Sequence, residues 1–174
     1  HEDLAANMWR NPGEKQNGKD DDGNGIPDDI HGASFLVSSQ RLVVSGDPDD
    51  DQGHGTHCAG TVAAVGDNGT GVVGVTWKAQ IMALKFLDRG GSGSSAGAVR
   101  CIDYAINKGA DIISASWGGG QRSREIEAAI ARAEDAGILF VTAAGNENRD
   151  IDSQPSFPAA YDIDNIISVA AIDE

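Results

Sequence analysis

The chain has 174 residues, 40% hydrophobic and 23% charged, which bounds it to one soluble globular domain long enough for a real core. Thirteen basic against 27 acidic side chains leave a formal charge of −14, and such acidity argues against nucleic acid as a partner, because phosphates would be repelled. No run approaches the roughly 18 apolar residues of a membrane span, which argues against a membrane partner, and no signal peptide opens the chain. The acidity fits a secreted protein, a cation binder or both, or simply a solvated surface. Glycine is frequent at 23 residues and aromatics are only 5%, which favours tight turns and close backbone approaches. Two cysteines, Cys58 and Cys101, cannot form a disulfide framework; one bridge is compatible, but their apolar, helix-like surroundings favour two buried thiols. The chain opens abruptly on His1–Glu2–Asp3–Leu4 and closes on Ile172–Asp173–Glu174, so it is expected to be a piece of something longer.

Residues 1–32 are polar and loop-rich and contain DDDGNGIPDD from Asp20 to Asp29. Asp20, Asp22 and Asn24 alternate, Gly25 permits a sharp turn, Ile26 offers a carbonyl, and Asp28 and Asp29 add carboxylates. Calcium takes six to eight oxygens around such a loop, so these six residues form a candidate calcium site. The helix–loop–helix calcium motif is not matched, since residue 31, where it places a glutamate, is His31. The competing reading is a flexible acidic turn. Residues 33–45 hold short apolar runs suited to a strand or hairpin.

The stretch DDDQGHGTHCAG, Asp49 to Gly60, places His54 between two glycines ahead of small residues that fit a buried helix to Ala64. Histidine is the side chain best suited to move protons near neutral pH, and flanking glycines let another backbone approach. Taken alone, it reads as a loop histidine before a helix.

Beyond a turn-rich loop at 66–71 the pattern alternates. Strands are expected at 79–87, 110–115, 138–143 and 166–172. Helices are expected at 95–108, capped by Ser95 and stopped by Gly109, and at 123–136, stopped by Gly137. Val99, Ile102 and Ile106 form one apolar face, and Ile126, Ala129, Ile130 and Ala133 another. Strands every 27–30 residues with helices between predict an α/β fold, a mostly parallel sheet flanked by helices. In such sheets ligands bind beyond the carboxyl ends of the strands, which selects the loops 88–94, 116–121 and 144–148.

Those loops read DRGGSGS, SWGGGQ and AGNEN, and with GHGTHCAG they share an order seen in one family. The chain resembles a subtilisin-type serine protease (subtilase, peptidase S8) over nearly its whole length. GHGTHCAG resembles the family's histidine block, ISASWGGG its substrate-binding segment and TAAGNEN its oxyanion block. HEDL resembles the segment trailing the catalytic aspartate, and SFPAAYDIDNIISVAAID the strand segment leading toward the serine. The resemblance implies a three-layer sandwich, truncated at both ends, with residues 1–174 a partial catalytic domain. It implies His54 as general base and Asn146 as oxyanion donor. Ser116, Trp117, Gly118 and Gly119 would form one wall of the pocket for the residue before the scissile bond, and Ala143, Ala144 and Gly145 the other. Gly91, Ser92 and Gly93 would pair as a strand with the substrate backbone. His57 would be structural, Cys58 the buried thiol of the thiol-bearing branch, and Phe157–Pro158 a cis peptide.

The resemblance also implies a tight calcium loop built from Asp3, Asn68 and the carbonyls of Val65, Thr70 and Val72. One extra residue between Val65 and Gly71 departs from the shortest family version and bears on the carbonyl assignments. The acidic loop at 20–29 would be an additional site. Implied partners are a peptide or protein substrate, a propeptide inhibitor and the missing segments of the catalytic domain; the implied location is secreted or the secretory pathway. The acidity biases substrates toward basic or neutral ones.

No block of the G-T-S-M-A type occurs in the chain, and the run Asp49–Asp51 does not replace the family's aspartate. As it stands, the chain should not hydrolyse peptides by the family mechanism. Two other readings stand beside a segment of a secreted endopeptidase. One is a catalytically dead, calcium-ordered scaffold, which would need neither His54 nor Asn146. The other is an unrelated α/β binding domain with coincidental loops.

Overall fold

The structure is a computed structural model that describes residues 1–172; Asp173 and Glu174, from the closing stretch, lie outside the described residues. The chain forms two compact units, one from His1 to Gly97 and one from Ala98 onward. Its class is α/β, with parallel strand pairs flanked by helices, as expected.

The first unit opens with a short 3-10 turn, Ala5–Asn7. The apolar residues at 33–45 form the hairpin of β1 (Gly32–Ser38) and β2 (Arg41–Ser45), turned through Ser39 and Gln40. Helix α1 (His54–Ala63) carries the chain over to β3 (Ala83–Lys85), which pairs parallel with β1. The sheet order is β2-β1-β3. Leu4, Ile26, Ile30, Ala33, Phe35, Ala63 and Ala64 are buried. The strand expected at 79–87 is half-buried and only its middle joins the sheet. Ile81 bridges Met8 and Leu87 bridges Gly93, so the extended stretch serves three partners in turn. Helix α1 is less buried than its small residues suggest: only Gly60 and Ala63, three apart, are buried.

The second unit takes up α2 (Ser95–Asn107), which starts at the end of the first, then β4 (Ile112–Ala115), α3 (Arg124–Asp135), β5 (Leu139–Ala143) and β6 (Ile166–Val169). The three strands pair in parallel in the order β4-β5-β6, with Ala115 opposite Thr142 and Ala143 opposite Val169. Ser94, not Ser95, caps α2: its Oγ accepts the N–H of Gly97 at 3.0 Å. Ser123 caps α3 in the same manner, through Ile126 N–H. Both helices stop at the expected glycines, Gly109 and Gly137, each left-handed; Ala110 N–H reaches Ala105 O, and Ile138 N–H reaches Ala133 O.

The apolar faces of α2 and α3 meet one face of this sheet. Ile102, Ala115, Ala129, Ile130, Ala133, Ile138, Phe140 and Tyr161 form the core, with Val99, Ile106 and Ile126 packed against it. Burying a side chain such as Ile130 or Phe140 stabilises by about 1.5–3 kcal/mol. Ile112, Leu139, Ile167 and Val169 are exposed; register puts Ile112 with Leu139 and Ile167 with Val141, two residues along β5, on a common face. The connection from β5 to β6 contains no helix, contrary to the expected alternation; residues 144–165 are turns and irregular chain that include the cis Phe157–Pro158 bond. Among the described residues no helix is long and apolar enough to cross a membrane.

Candidate active site and acidic loops

His54 is the first residue of α1 and is exposed. Gly53, before it, has φ +98°, a left-handed conformation that side chains other than glycine rarely adopt. The loop ahead is fastened by side chains. Asp50 accepts the N–H groups of Gln52 and Gly53 through Oδ1, and the N–H and hydroxyl of Thr56 through Oδ2. Asp51 pairs with Lys85 of β3, and Gln52 Oε1 accepts the N–H of His54 at 2.8 Å. Two carboxylates of the 49–51 run are thus committed to the loop, to Thr56 and to Lys85. Burial opposes ionisation of Asp50, but donors from Gly53, Thr56 and Gln52 outweigh it and hold the carboxyl well below the usual carboxylate range. Lys85 lowers Asp51 chiefly by its hydrogen bond.

Cys58 lies one turn beyond His54, its Sγ 3.9 Å from both ring nitrogens. It is half-buried rather than buried, because that flank of α1 is only partly covered; Cys101 is buried, and burial pushes its thiol up. Both cysteines are free. His57 is exposed.

Gly91, Ser92 and Gly93 are in the first unit, in a loop closed by hydrogen bonds to Asp88. Asp88 Oδ1 accepts the N–H groups of Gly90 and Ser92, and Asp88 N–H donates to Ser92 O. An aspartate closing its own turn two residues on makes that possible.

In the second unit, Ser116 to Gly119 follow β4 and Ala143 to Gly145 end β5, on neighbouring parallel strands. Gly119 N–H donates to Phe157 O at 3.1 Å, and Trp117 packs edge-on against Phe140 with ring centroids 6.4 Å apart. Ala144 N–H donates to Val169 O at 2.8 Å, carrying the ladder one residue past β5. Asn146 follows, exposed, its N–H on Glu147 Oε2. It stands beyond the carboxyl end of the central strand, where open α/β sheets present ligand-binding groups.

The acidic loop is built around Asp20. Its Oδ1 accepts Gly23 and Asn24 N–H and its Oδ2 accepts Gly25 N–H. Glu14, Asp20 and Asp22 offer carboxylate oxygens within 4.8 Å of one another. Glu14 is buried and was not selected from sequence; nothing in its spacing marks it. An all-oxygen set of this kind fits a hard cation such as calcium. Asn24 Oδ1 accepts Ile26 N–H, and its amide donates to Asp29. Asp29 is fully buried and also accepts from Asn11, while Asp28 turns away to accept Asn17 and Gly18 N–H. The structure therefore groups Asp20 and Asp22 with Glu14, and sets Asp28 and Asp29 to holding the loop. The Nδ1 N–H of His31 donates to Trp9 O at 2.8 Å, a structural contact.

Asp3 is buried in the first unit and gathers the second set. Its carboxylate accepts Asn68 Nδ2 and Val72 N–H, its carbonyl accepts Val65 N–H, and Asn68 Oδ1 accepts Thr70 N–H.

The profile of the subtilase family, peptidase S8, matches residues 1–174. The chain belongs to the subtilase family. It is 43% identical over 143 residues to the thermostable alkaline protease of Halalkalibacterium halodurans, covering 82% of this chain and 36% of that protein. Thermitase of Thermoactinomyces vulgaris is 41% identical over 127 residues, covering 73% and 44%. Subtilisin-like protease 1 of Plasmodium falciparum is 36% identical over 185 aligned positions, covering 98% and 26%. This subtilase chain spans about a quarter to a half of the length of the curated relatives it matches.

Proposed function

We propose that this chain supplies the general base and an oxyanion donor to a secreted, calcium-stabilised serine endopeptidase. In this reading His54 takes the proton of a serine nucleophile and later returns it to the leaving amine. Asn146 donates its side-chain amide to the tetrahedral oxyanion, an interaction worth roughly 3–4 kcal/mol at the transition state by the measured case of a subtilisin asparagine. Gly91–Ser92–Gly93 pairs with the substrate backbone. Ser116–Gly119 and Ala143–Gly145 line the pocket for the residue before the scissile bond. The nucleophile and the orienting carboxylate belong to residues outside 1–174, so this chain alone hydrolyses no peptide. A propeptide inhibitor would occupy the same substrate strand.

The observation that carries the reading is a family match over the whole chain in which the base and donor blocks each stand at a structural terminus suited to chemistry. His54 opens a helix, and Asn146 leaves a strand at its carboxyl end. Calcium fits as a stabiliser of loops that lack a core. Glu14, Asp20 and Asp22 would hold one ion, and Asp3, Asn68 and the carbonyls of Val65, Thr70 and Val72 a second. The deciding experiment is His54→Ala in the full-length protein that carries this chain. Peptide hydrolysis should be abolished; an unchanged rate rejects His54 as the base.

A further inference from the structure

The start of α1 lacks an ordinary cap. Its N-cap is Gly53, which has no side chain to accept the first-turn N–H groups, and its φ of +98° reverses the chain just before His54. Asp50, three residues earlier, takes up one first-turn N–H, that of Thr56, and ties down the residues just before the helix. One carboxylate receives four donors: Gln52 N–H at 3.0 Å, Gly53 N–H at 2.8 Å, Thr56 N–H at 2.8 Å and Thr56 hydroxyl at 2.7 Å. These donors span residues 52 to 56, and His54 is the middle of that span. Asp51 then joins the loop to β3 through Lys85 Nζ at 2.5 Å, and the Lys85 side chain is largely buried. Gln52 adds a bond to His54 N–H itself. Neither carboxylate hydrogen-bonds the imidazole, so neither substitutes for a catalytic aspartate.

We propose that Asp50 and Asp51 are positioning residues for His54: with Thr56 and Lys85 they form a clasp that fixes the first turn of α1 against strand β3. The proposal rests on the reading of His54 as general base. A plain helix cap would use one or two N–H groups of the first turn. This clasp also immobilises the left-handed glycine that would otherwise be the hinge on which the histidine swings, and it anchors the loop to the sheet. Asp50 is ionised at neutral pH, which makes its four bonds charge-assisted and stronger than neutral ones.

The test measures kcat, KM and melting temperature for variants of the full-length protein that carries this chain, with His54→Ala alongside. Misplacing a catalytic group by about 1 Å costs roughly a hundredfold in rate, so Asp50→Ala should lower kcat by up to about a hundredfold with KM within about twofold. Asp50→Asn keeps one acceptor oxygen and should recover part of that loss. Lys85→Met, which cuts only the tie to β3, should lower kcat by a smaller factor. A folded Asp50→Ala enzyme whose melting temperature falls while kcat stays within about twofold overturns the clasp and leaves a structural cap. If Asp50→Ala does not fold, Thr56→Val, which removes only the hydroxyl donor, should lower kcat severalfold at unchanged KM; unchanged kcat there overturns the proposal. Failure of the base reading is separate, since it appears as hydrolysis that survives His54→Ala.

Discussion

The histidine corner and the asparagine corner are held in place by different physics. His54 is delivered by a loop fastened through side chains: Asp50 on four donors, Asp51 on Lys85 and Gln52 on the histidine's own N–H. Asn146 is delivered by backbone: β5 lies between β4 and β6, and the ladder continues through Ala144 to Val169. On the same strand, fully buried Phe140 packs against the edge-on ring of Trp117. The first corner answers to charge and the second to packing. Under the proposed role of His54 as base, a charged frame holds the histidine by charge-assisted bonds. Under the proposed role of Asn146 as oxyanion donor, a frame with few ionisable parts keeps its position independent of pH.

The sharpest break in this contrast is His54→Ala, expected to remove hydrolysis altogether. Asn146→Ala comes next. It should lower kcat by about 10²–10³-fold with little change in KM, the loss known for removing the oxyanion asparagine of a subtilisin, because the bond matters only in the transition state. A matching rise in KM with unchanged kcat would assign Asn146 to ground-state binding instead. The clasp variants follow, with the graded losses described above.

Calcium removal is expected to act on stability before chemistry. A chelator should lower the melting temperature by several degrees, on the order of 5 °C, as expected for loss of a ligand that binds only the folded state. Glu14→Gln should blunt that response as strongly as Asp20→Asn, while Asp28→Asn should leave it intact. An Asp28→Asn protein that loses its calcium response would return Asp28 to the ligand set. The smallest effect is expected at Trp117. Replacing it with Leu removes the edge contact on Phe140 and should cost about 0.5–1.5 kcal/mol beyond the lost area. The cleavage preference of peptide libraries should shift as well; an unchanged preference removes Trp117 from the pocket wall.

Much of the frame could be read from residue order. The apolar spacing of Ile126, Ala129, Ile130 and Ala133, with glycine after it, specifies α3 and its end almost to the residue, because periodicity and a left-handed stop are both local. The hairpin at 33–45 and the cis bond at Phe157–Pro158 were also legible, the latter only through family resemblance. Glu14 was not, because its partners Asp20 and Asp22 become neighbours only when the loop folds back. Asp50 was hidden by its own surroundings: in a run of three aspartates no spacing says which one turns inward. The general alternation of strand and helix breaks between β5 and β6, since residues 144–165 hold no sustained 3.6-residue apolar pattern.

The two acidic loops differ in one further respect, the length of chain they close. The bonds of Asp20 reach three to five residues along the chain, whereas Asp3 reaches Asn68 and Val72 across 65 and 69 residues. Short loops close within about 10–100 ns, so the turns around Asp20 can form while most of the chain is still searching. The bonds of Asp3 must wait for the chain through β1, β2 and α1 to bring residue 72 back to the beginning. Asp3 therefore acts as a late seal on the first unit, and opening it would release the first few residues and the loop at 65–72 together.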